Sequence, residues 1–195
     1  LPAGKELDRW NLYSPLWCRA EISRQGNEKI LSLHDSDPFD YAKGERMFPV
    51  SGTVIAELAI TPKQADNGHL DIEITDEKGT ACLRLSLDST GTVYTKAGYR
   101  NRSIGTYKAG EKLTVKIELN AATRFYTVTL NNGKPVNNIC FAPIAKAQRI
   151  VFRTGGVRRF PDADTPTDQD YDLPGADSRL KEAIYQIHYL KTQTF

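Results

Sequence analysis

Cysteine is scarce in this chain of 195 residues: Cys18, Cys82 and Cys140 are the whole supply. They are odd in number and far apart, which excludes a disulfide ladder and a Cys-x-x-Cys metal pair. One disulfide is compatible with them, and nothing in the sequence chooses its pairing. Cys82 alternates with Arg84 and Ser86 and is expected on the wet face of its strand. Cys18 and Cys140 have apolar neighbours, the usual surroundings of a free cysteine acting as a small hydrophobe. An excess of charge of one sign is also lacking, since 26 Lys and Arg against 24 Asp and Glu leave +2. The balance therefore gives no grip on a polyanion, and no nucleic acid partner is expected. No apolar run approaches the roughly 18 to 20 residues of a membrane helix, so no membrane insertion is expected. The N-terminus, Leu1-Pro2-Ala3-Gly4-Lys5, has no initiator Met and no signal-peptide pattern. A fragment of a larger multidomain protein is the expectation.

What the chain has in quantity is period-two alternation between Gly68 and Gly133. In HLDIEIT, Leu70, Ile72 and Ile74 share one face; in CLRLSL, Leu83, Leu85 and Leu87 do. Leu113, Val115, Ile117 and Leu119 repeat the pattern, as do Tyr126, Val128 and Leu130. The intervening turns, Asp76 to Gly79, Asp88 to Gly91 and Asn131 to Gly133, carry residues that tolerate positive φ. Strands with one dry face pack as facing sheets, so the chain is expected to form a single β-sandwich domain over residues 1–195. Before this meander lie an irregular approach (Trp10, Tyr13, Trp17), a short strand near Ile30 to Leu33, a loop from His34 to Arg46, and an apolar strand from Thr53 to Ile60. After it comes a polar loop from Gly155 to about Lys181, rich in Asp and holding Pro161, Pro166 and Pro174. A loop of that length is functional or disordered. A closing strand is expected at Ala183 to Lys191, with Tyr185, Ile187 and Tyr189 on one side. Helix is scarce throughout.

Tyr107 to Ile117, followed by Phe125 to Gly133, resembles the pattern of concanavalin A-like jelly rolls: an aromatic residue, a turn glycine, a strand, and a second strand ending in Asn-Gly. That superfamily includes laminin-G-like modules, legume-type lectins, laminarinase-type hydrolases and jelly-roll polysaccharide lyases. With Trp10 to Pro15, Asp37 to Lys43 and Arg149 to Gly155 added, the chain resembles accessory domains of bacterial glycan-degrading proteins, often found beside a sialidase-like propeller. The resemblance implies an all-β, concanavalin A-like jelly-roll sandwich of two antiparallel sheets with long loops. It also implies a secreted, periplasmic or cell-surface location in a bacterium.

Two enzymatic patterns are testable on the residues. Laminarinase-type hydrolases set carboxylates on alternate positions of one strand, because side chains two apart point the same way. Here His69-Leu70-Asp71-Ile72-Glu73 is the nearest match, with His69 at the nucleophile position; Asp71 and Glu73 form the remaining pair, or else a solvated face ion-paired with Arg84 or Lys116. Jelly-roll alginate lyases carry a Gln-Ile-His strand before a Tyr-x-Lys-x-Gly-x-Tyr strand, whose His and Tyr move the proton of β-elimination. This chain has Tyr94-Thr95-Lys96-Ala97-Gly98-Tyr99 before Gln186-Ile187-His188, the reverse order. Tyr94 and His188 are the candidates on that reading.

Asp35, Asp37 and Asp40 supply closely spaced oxygens that suit a hard cation, as do Asp162, Asp164, Asp168, Asp170 and Asp172. No cofactor is required by these patterns; a structural calcium is the one metal they accommodate, and turn capping is the alternative. For a sugar, ring faces and planar donors are needed. Lys96, Tyr99, Arg100, Arg102 and Tyr107, with Asn101 among them, form the preferred cluster, and Arg158 and Arg159 the second. The reading favoured is a non-catalytic accessory module of a carbohydrate-active protein that binds glycan or packs on a neighbouring domain of the same protein; a glycan-cleaving enzyme and a purely structural interaction domain are the alternatives.

Overall fold

The computed structural model describes residues 10–26, 28–155 and 178–195. Fourteen strands follow one another in the chain: β1 (Trp10–Tyr13), β2 (Cys18–Gln25), β3 (Glu28–Asp35), β4 (Lys43–Ser51), β5 (Thr53–Pro62), β6 (Leu70–Thr75), β7 (Ala81–Leu87), β8 (Thr92–Ala97), β9 (Arg100–Thr106), β10 (Leu113–Asn120), β11 (Phe125–Leu130), β12 (Val136–Ile139), β13 (Ala147–Thr154) and β14 (Ala183–Thr194). The described residues hold no helix. The alternating segments are those the sequence predicts, and the chain is the all-β sandwich they imply.

The strands form two seven-stranded sheets, ordered β1-β4-β13-β6-β7-β8-β9 and β12-β11-β10-β5-β14-β3-β2, with antiparallel pairing. Non-sequential neighbours such as β13 beside β6 mean that long crossovers, not hairpins alone, close the sheets. One apolar cluster lies between them. The first sheet contributes Leu70, Ile72, Ile74, Leu83, Leu85, Leu87 and Phe152; the second contributes Leu33, Leu58, Ile60, Ile117, Val128 and Tyr185. Each fully buried Leu or Ile stabilises by about 1.5–3 kcal/mol relative to exposure.

Two irregularities correct the strict alternation. In the β6–β7 ladder the register shifts between Ile74 and Thr75, so that Thr75 pairs with Ala81 and Cys82 is the extra residue. A bulge of this kind turns a side chain across the sheet. Cys82 is fully buried and belongs to the core, not to the wet face. In the β14–β5 ladder the shift falls between Ile187 and Tyr189. Leu190 then enters the core, and Tyr189 is exposed instead of sharing the face of Tyr185 and Ile187. The stretch read as a loop up to Arg46 ends earlier, because β4 begins at Lys43 and its Gly44, Arg46 and Phe48 turn inward while Lys43, Glu45 and Met47 turn outward.

Candidate functional site

Strands β3, β7 and β13 end, and β4, β6 and β14 begin, at the same end of the sandwich. The connections gathered there enclose a cleft of about 690 Å³ lined, among the described residues, by Asp37, Phe39, Asp40, Asn67, His69, Asp88 and their neighbours. Local chemistry fixes each wall. The Asp37 Oδ1 accepts the Phe39 and Asp40 amides at 2.8 and 2.9 Å, which curls the chain and sets the Phe39 ring on the cleft. Asp88 Oδ1 accepts the Thr90 and Thr92 amides at 2.9 and 3.0 Å and shapes the opposite turn. Asn67 donates to the Lys181 and Glu182 carbonyls, and its own Oδ1 is buried without a partner.

His69 joins the cleft to the outer face of the first sheet, since its Nε2 lies 2.7 Å from Asp71 Oδ1. Ser86 Oγ donates to the same oxygen at 2.6 Å, and Arg153 Nη2 donates to Asp71 Oδ2 at 3.0 Å. Burial would raise the Asp71 pKa, but His69, Arg153 and the Ser86 hydroxyl outweigh it and hold the carboxyl well below the ordinary carboxylate range. Glu73 receives Arg84 Nε at 2.6 Å and faces Arg153 at 3.7 Å. Next to Arg84, the Phe141 ring lies under two cations, Lys96 Nζ at 4.5 Å and Arg84 Cζ at 5.5 Å from its centroid.

The structure brings some predicted site residues together and separates others. Asp71 and Glu73 do share a face, but both carboxylates are enclosed by cationic partners, as the ion-pair alternative expects. Tyr94 and His188 are not brought together: Tyr94 alternates with core-facing Val93 on the outer face of the first sheet, while His188 bonds Thr61 at 2.8 Å on the outside of the second. Burial, and then Lys112, lower the His188 pKa despite the Glu28 carboxylate.

The preferred sugar-binding cluster is also divided. Lys96 points to Phe141, whereas Arg102, paired across from inward-facing Thr95, donates to the Asn137 carbonyl at 3.2 Å. Tyr99 is fully exposed at the β8–β9 turn, with Arg100 exposed beside it. Tyr107 is a core residue whose hydroxyl donates to the Asp88 carbonyl, its pKa pushed up to about 12 by burial and by Asp88. Arg158 and Arg159 lie outside the described residues, as do Asp162, Asp164, Asp168, Asp170 and Asp172.

Asp35 Oδ1 accepts the Asp37 amide and the Cys18 thiol, and Asp40 accepts the Tyr41 amide and the Tyr13 hydroxyl. Among the described residues no three acidic, histidine or cysteine side chains converge as a metal site. Sequence reasoning did not single out Phe39 or Phe141 as site residues. The only signal for Phe39 was its place inside an Asp-rich turn motif, where a ring is set by the turn and not by strand alternation.

A family model described as "Sialidase-like, CBM domain", the abbreviation standing for carbohydrate-binding module, matches residues 10–169. Among solved structures, a chain titled "Sialidase" is 41% identical with a TM-score of 0.83; the match covers 97% of this chain and 17% of that one. An alginate lyase of polysaccharide lyase family 7 superposes with a TM-score of 0.57 at 12% identity, covering 96% of this chain and 94% of the lyase. The carbohydrate-binding module CBM66 of Bacillus subtilis gives a TM-score of 0.52 at 9% identity, covering 95% of each chain. These two show the fold, a concanavalin A-like jelly roll, and no more. No curated protein matches the chain. The chain spans only about a sixth of the sialidase it resembles.

Proposed function

The chain belongs to the sialidase-like CBM domain family, carbohydrate-binding accessory domains of larger proteins, and from that premise we propose that its end cleft holds a neutral, hydroxyl-rich glycan. The observation that carries this reading is the group of acidic side chains set around the cleft. Its described walls carry acceptors, the Asp37, Asp40 and Asp88 carboxylates, around one aromatic residue, Phe39. Sugar hydroxyls donate to such oxygens, and a sugar C–H face packs on such a ring. A sialate or uronate carboxylate would meet mainly like charge there, because Lys181, the lysine on the described walls, is paired with Asp66. Catalysis finds less support. A general acid needs a raised pKa, and Asp71 is held in the opposite direction.

A second reading places the contact at the β8–β9 turn, because the Tyr99 ring is fully exposed beside Arg100. Arg there would favour an anionic sugar. The parent protein is read as an extracellular or surface glycan-degrading protein of bacterial origin, with this domain packed beside a catalytic one. The binding reading needs no metal, since sugar hydroxyls can donate to the carboxylates directly.

A glycan array of neutral, sialylated and uronate-bearing ligands, followed by calorimetry, tests these readings. Neutral ligands are expected to score, with unchanged affinity in EDTA. Phe39→Ala is expected to weaken binding about tenfold, or ~1.4 kcal/mol, at unchanged melting temperature, and Tyr99→Ala to leave it intact. Binding confined to anionic sugars and lost in Tyr99→Ala would favour the turn. Loss of binding in EDTA would restore calcium to the account.

A further inference from the structure

Two of the three cysteines, far apart in sequence, meet at one edge of the sandwich. The Phe141 amide donates to the Cys82 carbonyl at 3.0 Å, which lays the segment leaving β12 of the second sheet along β7 of the first. The β7 bulge turns Cys82 inward at that point. The Cys82 thiol donates to the Ile74 carbonyl at 3.5 Å, and the Cys140 side chain is its neighbour. Cys18 is elsewhere, bonded to Asp35 at 3.4 Å.

We propose that Cys82 and Cys140 are an oxidisable pair whose disulfide staples the first sheet to the second across the open edge beside β12. The two thiols differ in a way that orders the chemistry. Cys140 is partly exposed, and hydrogen bonding from Cys82 together with the Arg124 charge lowers its pKa against the effect of burial. Cys82 is fully buried, and the hydrogen bond to Cys140 and burial raise its pKa. Cys140, the thiol a soluble oxidant can reach, is therefore the attacking thiolate and Cys82 the resolving thiol.

The oxidant is a soluble disulfide such as oxidised glutathione. The Cys140 thiolate attacks one glutathione sulfur and expels the other as a thiolate. Cys82 then attacks the Cys140 sulfur of the mixed disulfide and expels the second glutathione. The two cysteine protons end on the two glutathione thiols, so one glutathione disulfide is reduced as one protein disulfide forms. The proposal rests on an extracellular or surface location for its setting, where such bonds persist, and is independent of which glycan the domain binds.

The 195-residue chain is incubated with oxidised glutathione, alkylated under unfolding conditions and mapped by mass spectrometry. A Cys82–Cys140 cross-linked peptide with Cys18 alkylated is expected, and the melting temperature is expected to rise by roughly 5–10 °C over the reduced chain. Cys140→Ser is expected to melt with the reduced form and to gain no cross-link. A stable glutathione adduct on Cys140, a disulfide involving Cys18, or alkylation of both Cys82 and Cys140 after oxidation would each overturn the proposal.

Discussion

Asp71 is a charged residue deeply enclosed at the junction of cleft and sheet, and its burial is tolerable only because Arg153, His69 and Ser86 answer both of its oxygens. Removing one member of such a set leaves uncompensated charge behind. Asp71→Asn is expected to cost about 3 kcal/mol at neutral pH by denaturant unfolding. The pH dependence has a definite sign. The folded pKa is depressed below the unfolded value near ~3.9, so the contribution is fully present above that value and is lost as the pH falls toward the folded pKa. The stability gap between wild type and variant is expected to narrow as the pH falls below about 4. A gap that persists unchanged at pH 2 would assign the cost to packing. At this scale the sequence was partly legible: the spacing of Asp71, Glu73 and Arg84 announced a shared face, and strand pairing made it an ion-pair network. Phe39 was not legible, because a ring placed by an Asx turn leaves no periodic trace.

Among the elements, the long apolar strands were readable because alternation is imposed by the pleat itself. The edge strands β1, β9 and β12 were not, since their exposed, polar residues carry no inward stripe. Bulges were invisible for a related reason. They obey the partner strand's register, which at Tyr189 is set by Ala59, far away in sequence. The approach to β6 depends on one such non-local contact. Gly68 has φ +79, and a Cβ there would collide with the Ala183 Cβ and come within 2.9 Å of the Tyr185 hydroxyl, where β14 begins. Gly68→Ala is expected to lower stability by about 2–4 kcal/mol through backbone strain and overpacking together. A loss under 0.5 kcal/mol, read from urea midpoints, would show that β14 yields at Ala183.

Over the whole molecule, the architecture separates two tasks. The facing sheets bury the apolar residues and hold the Arg–carboxylate network, while connections from several strands meet at one end and make the cleft. Fold class followed from the sequence because periodicity is local. The cleft did not, because its walls come from positions near 37, 67, 88 and 181 that only the crossovers bring together. The most direct measurement is amide chemical-shift mapping by NMR of the chain titrated with a neutral glycan that scores on the array. Perturbations centred on Asp37 to Asp40, Asn67 to His69 and Asp88 to Ser89 are expected. Perturbations centred on Tyr99 to Arg102 with the cleft amides unmoved would contradict the assignment of the cleft as the glycan site.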